Sequence, residues 1–183
     1  MFAIDAEALY SWCVGSLKNS FDLVLAIYMN QLWGWPIISK REVLPFLRRE
    51  LGNLRNNLSV VKEPRIAAAL QEIMPGLEEF VTHAPILVDW QVQNTPRSLL
   101  QDKHNKSLDI DQIDSGPWIH QEDYQGLVRD SSRILRGYLS GLEKATRLVK
   151  EFAQESDPLP PPEPLRRIDE GIATLRKIIE AGE

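Results

Sequence analysis

One cysteine, Cys13, stands in a chain of 183 residues. An intramolecular disulfide is therefore excluded, and so is a zinc site built from several thiolates. Cys13 falls among apolar residues at helical spacing, which predicts a buried, inert thiol. Histidine is almost as scarce. His83, His104 and His120 lie far apart, so neither HxxxH nor HExxH occurs, and no Glu-x-x-His pair supplies the ligand pattern of a di-iron bundle. Glu79 and His83 share an i, i+4 spacing that amounts to half a metal site; a solvated pair on a helix surface is the plainer expectation. There is no GxSxG elbow and no glycine-rich phosphate loop. Long apolar runs are absent too: Phe21 to Met29 is too short to span a bilayer. Asp5 and Glu7 stand where a secretory leader would be basic, so the expected compartment is the cytoplasm, with no membrane partner.

What the chain does contain is helical periodicity. Apolar residues make up 43% and charged residues 26% of the sequence, ordinary proportions for a soluble domain with one core. The clearest stripe runs Tyr124, Val128, Ser131, Leu135, Tyr138, Leu142, Ala145, Val149, Phe152, in steps of four and three. Such spacing predicts one long central helix over about 119–155. Leu127, Ile134 and Leu148 widen the stripe, so this helix should touch more than one neighbour.

Three further helices are expected before it. The first runs from about Asp5 to Trp33, with Leu9, Cys13, Leu17, Ser20, Val24, Ile27 and Gln31 on one face. A second opens with the capping-box pair Ser39 and Glu42 and continues through Leu47, Leu51, Leu54, Leu58 and Val61. Pro45 should kink it or move its start to Leu44. Pro64 suits the first turn of a third helix, whose stripe is Ile66, Leu70, Ile73, Leu77, Phe80. Pro75-Gly76 is expected to bend or split it, with a separate short helix over 86–92. Residues 94–117 read as a long polar loop carrying Asp109, Asp111 and Asp114. These acids lack the glycine and distal glutamate of an EF-hand loop.

Five prolines fall within 157–164, a stiff spacer. Beyond it Leu165, Ile168, Ile172, Leu175 and Ile179 predict a last helix, packed on the bundle or on a partner. The expected architecture is all-α: an irregular bundle of five or six helices over 1–156, a proline-rich spacer over 157–164 and a C-terminal helix over 165–183.

Charge is unevenly placed. The net charge is −5, yet residues 39–65 carry seven basic and three acidic side chains. Arg41, Arg48, Arg55 and Lys62 recur every seven residues, a basic line beside the apolar stripe. It predicts either a flank paired with acids of a neighbouring helix or a contact line for phosphates or an acidic partner. Apart from Phe46 no aromatic interleaves it, so the stacking platform of a single-strand binder is lacking. Of the five tryptophans, Trp12 is expected in the core, while Trp33, Trp35, Trp90 and Trp118 stand at loop margins, where they cap a core or anchor a partner.

Arg55-Asn56-Asn57-Leu58-Ser59-Val60 resembles the Arg-Asn-x-x-x-His signature of HEPN-type helical ribonucleases. The resemblance covers six residues. It implies RNA cleavage by an arginine and a histidine on facing helices of a dimer. Val60 occupies the histidine position and can neither take nor give a proton, so a degenerate, inactive relative is what it implies.

The sequence therefore predicts a non-catalytic helical subunit that binds another protein chain, in a hetero- or homo-oligomer, with no cofactor and no metal. Its expected contacts are the basic line (Arg41, Arg48, Arg55, Lys62) and the terminal helix (Leu165, Ile168, Ile172, Leu175, Ile179). The alternative is a nucleic-acid-contacting subunit of a larger assembly, such as a prokaryotic defence complex, with the basic line on phosphates. An enzyme remains a third expectation, requiring the 94–117 loop to gather Asp109, His104 or His120 over a pocket.

Overall fold

A computed structural model describes residues 6–28, 38–94, 121–155 and 163–181 as helices and one short connection. The helices are α1 (Ala6–Tyr28), α2 (Ile38–Leu58), α3 (Pro64–Asn94), α4 (Gln121–Glu155) and α5 (Glu163–Ala181). The all-α expectation and the count of about five helices hold.

The long stripe predicted for α4 is its buried face: Ser131, Leu135, Tyr138, Leu142, Ala145, Val149 and Phe152 are all buried. Tyr124 and Val128 lie outside the described side chains. At about 1.5 Å per residue α4 is roughly 50 Å long, and it packs on α1, α3 and α5. The broadest contact in the molecule joins α3 to α4. The hub, however, is α1, which touches all four other helices. Its Cys13, Leu17, Val24 and Ile27 are fully or almost fully buried, and Trp12 is half-buried against the same core.

Three local expectations are corrected. Residues 64–94 form one helix that runs through Pro75 and Pro85, so the predicted break and separate short helix do not occur. Pro75 is exposed, and the carbonyl it leaves without an N–H donor faces the wet side of the helix, where the loss is mild. Gly76 is no breaker: a Cβ there would lie 2.5 Å from the Cα of Tyr138, so glycine is what lets α3 and α4 approach. Helix α2 likewise runs through Pro45, which is exposed, instead of starting at Leu44. At the other end, Glu163 and Pro164, assigned to the spacer, are the first residues of α5; proline's fixed φ suits a first turn.

The face of α5 is covered by its own chain. Leu165, Ile168, Ile172, Leu175 and Ile179 are all buried, against α1 and α4. Phe21 of α1 lies over Gly171, with a Cβ there 2.7 Å from the ring. Lys150–Asp169 (2.6 Å) and Arg176–Glu143 tie α5 to α4 at the surface. Burying five large apolar side chains, at about 1.5–3 kcal/mol each, gives this packing ample drive. These five residues are core, so of the two packings expected for this helix, on the bundle or on a partner, the structure shows the first.

Candidate functional site

With α5 satisfied internally, an open face among the described residues belongs to α3. Its buried stripe turns one side inward and leaves Pro75, Glu78, Glu79, Thr82, His83 and Ile86 on the opposite strip, at helical spacing. Together with Ile134 of α4 they line an open groove of about 540 Å³. Ile86 is 53% exposed within it.

Two ion pairs border the groove. From the α2 side, Arg55 reaches Glu78 through Nε (3.1 Å) and Nη2 (2.9 Å). From the α4 side, Arg133 Nη2 meets Glu79 at 2.8 Å. All four side chains are substantially exposed, so each pair contributes little stability and serves to position charge. Helices α2 and α3 are neighbours joined by the short 59–63 connection, hence antiparallel. Of the basic line predicted on α2, Arg55 is the member that the structure places at the groove, through Glu78.

Its members differ in environment. Arg48 and Lys62 are exposed; among the described residues neither has a carboxylate within ion-pairing reach. Arg55 has the neighbouring-helix acid that the plainer expectation required. Arg41 lies in the first turn of α2, and its side chain falls outside the described residues. Arg49 points to the other flank, its guanidinium 4.9 Å from the centre of the half-exposed Phe46 ring. Arg65 is drawn off to Glu63 and Glu155 and lies over the Phe152 ring. Hydrogen bonds to those two carboxylates raise its already high pKa.

His83 is the least expected member. Its Nε2 lies 2.8 Å from Ser131 Oγ, a hydrogen bond between α3 and α4. Burial lowers its pKa from the ordinary 6.5; Asp130 and Glu79 oppose that shift and Arg133 adds to it. Glu79 and His83 make their close contacts apart: one faces Arg133, the other Ser131. Among the described residues no three His, Cys, Asp or Glu side chains converge on a metal-sized site. Sequence reading took Ser131 as one more position in an apolar stripe. A hydroxyl at a core position is the signal it passed over, because a buried hydroxyl requires a partner.

A serine beside a histidine is also the start of a nucleophile, but Ser131 is 0% exposed, so a substrate in the groove does not reach its Oγ. Cys13 is equally remote: it is buried, and desolvation pushes its thiol up to about 12. The resemblance to HEPN-type ribonucleases places Arg55 on a salt bridge and Val60, 70% exposed, in the turn after α2. His104, Asp109, Asp111, Asp114 and His120 lie outside the described residues, as do Trp33, Trp35 and Trp118. Among the described residues no helix is long and apolar enough to cross a membrane. Comparison with protein-family models, with curated proteins and with solved structures returned no match to this chain.

Proposed function

We propose that this chain is a non-catalytic helical subunit that binds another protein along the face where the basic flank of α2 borders the α3 groove. The observation that carries the reading is Ile86. It is a large apolar side chain, more than half exposed, lining the groove with Pro75 and Ile134, and Arg55 stands at the border through its pair with Glu78. An apolar centre with a charged rim is the anatomy of a protein interface. The partner that fits is an amphipathic segment laying apolar residues against Ile86 and Ile134. Acidic residues on that segment would meet Arg48, Arg55 and Lys62, which steers encounter and sets orientation more than it adds affinity.

Two observations support the non-catalytic half of the reading: the hydroxyl of Ser131 and the thiol of Cys13 are both out of reach of the groove. The alternative, phosphates along the basic line, leaves the exposed apolar side chain of Ile86 without a role.

The test is affinity purification of the full chain from its native host, with quantitative mass spectrometry and retained nucleic acid. Wild type is compared with Ile86→Asp and with Arg48→Glu/Lys62→Glu, after circular dichroism has verified each fold. A protein that is enriched by wild type and lost with Ile86→Asp supports the proposal. Enrichment of nucleic acid that survives Ile86→Asp, fails with the charge reversals and falls steeply with salt would replace it. Partners retained equally by all three chains would refute it.

A further inference from the structure

The helices α3 and α4 run antiparallel in a traceable register: Glu72 meets Gly141, Gly76 meets Tyr138, Glu79 meets Arg133, and His83 meets Ser131. At the first two levels backbone touches backbone, and the separation is set by contact between main-chain atoms. At the last level it is set by a polar tie. His83 stands seven residues beyond Gly76, about 10 Å along the helix. His83 also lines the groove, with Ile86 and Ile134, while Ser131 lies buried behind it.

We propose that His83 and Ser131 form a pH-sensitive latch that holds the C-terminal half of α3 to the N-terminal half of α4. The inference adds regulation to the groove, and its biological use rests on the reading of that groove as a partner site; the latch itself is testable without a partner. Neutral His83 bonds Ser131 in a half-buried setting. The imidazolium must hold its charge there with only part of its hydration. Its charged surroundings are of both signs. On its own helix stands Glu79, already matched by Arg133; from α4 come Arg133 and Asp130, one of each sign. Desolvation is the largest influence and favours the neutral ring.

The sign follows. A histidine whose pKa is depressed in the closed state takes its proton more readily once the helices part. The open form therefore gains population as pH falls below the ordinary value of 6.5, by at most about tenfold per pH unit. The tight glycine crossing stays closed, so opening is confined to the segment beyond it and widens the groove at Ile86.

The experiment is hydrogen exchange on the full chain at pH 7.5 and 5.5, corrected for the intrinsic pH dependence of exchange. Amides of 84–90 and 129–135 should lose protection several-fold, up to about tenfold, relative to those of 66–77, and His83→Gln should abolish the difference. The same differential loss in His83→Gln, or none in wild type, would overturn the latch. Should the variant fold poorly, an NMR titration of wild type decides: the 84–90 and 129–135 amide shifts must follow the His83 ring midpoint. If they follow carboxylates near pH 4 instead, the latch is wrong. Loss of the partner with Ile86→Asp tests the groove reading separately, and neither result forces the other.

Discussion

Gly76 faces the backbone of Tyr138 so closely that an added methyl would sit 2.5 Å from its Cα, and one level away Gly141 stands in the same relation to the Glu72 carbonyl at 2.4 Å. Neither obstacle is the end of a flexible side chain. Gly76→Ala and Gly141→Ala must therefore push α3 and α4 apart, and each should destabilise the fold. Overpacking costs about 1–3 kcal/mol, of which alanine's better helix propensity recovers up to about 1 kcal/mol. Gly52, with open space around it, is the control. Gly52→Ala should stabilise by about 0.5–1 kcal/mol. Urea midpoints of the three variants check the contrast.

Tyr138 is fully buried, and its hydroxyl lies 3.0 Å from Ser20 Oγ. Ser20 donates to the Leu17 carbonyl at 2.9 Å, so the phenol donates to Ser20. Burial holds that phenol far above its usual pKa. Ser20→Ala strands a buried donor and should cost about 1–3 kcal/mol; Tyr138→Phe leaves only a spare lone pair on Ser20 and should cost about 1 kcal/mol. The double variant should be less destabilised than the sum of the two, and a double-mutant cycle in denaturant measures that coupling.

Thr146 on α4 is buried, and its hydroxyl has no hydrogen-bond partner among the described residues. Valine has nearly the same shape and no hydroxyl to satisfy. Thr146→Val should raise stability by about 1 kcal/mol, since an unmet buried polar group costs about 1–3 kcal/mol. A lower denaturation midpoint for this variant would show that the hydroxyl has a role the geometry does not reveal.

Ile172 separates two meanings of a defect on α5. It is 6% exposed and faces the bundle. Ile172→Ala should cost about 2–5 kcal/mol and weaken α5 protection in hydrogen exchange, with the chain alone in solution. An unchanged midpoint would return the α5 face to the list of surfaces for another molecule.

The helical framework was legible because its signal is period, and period survives without knowledge of partners. The α4 stripe from Ser131 to Phe152 and the α3 stripe from Ile66 to Phe80 are the buried faces observed. Proline and glycine misled for a local reason. Taken alone, Pro75-Gly76 reads as a break, but a proline on the solvent side of a helix is tolerated, and a glycine at a helix crossing marks proximity. That distinction depends on Tyr138, 62 residues away. The basic line was legible as a line. The place of Arg55 at the groove was not, because it depends on the contact with Glu78, 23 residues away. His83 and Ser131 were out of reach for the same reason: each has an ordinary local explanation, and only their juxtaposition makes a device.

Because α1 contacts every other described helix and is made before all four of these neighbours, its surroundings are completed last. Phe21 is covered in part by α5, at Gly171, and so waits for about 150 further residues, some ten seconds or more at ordinary translation rates. Throughout synthesis the nascent chain displays a greasy helix without its lid, and this helix, ahead of any surface of the finished molecule, is where a chaperone would be expected to hold it.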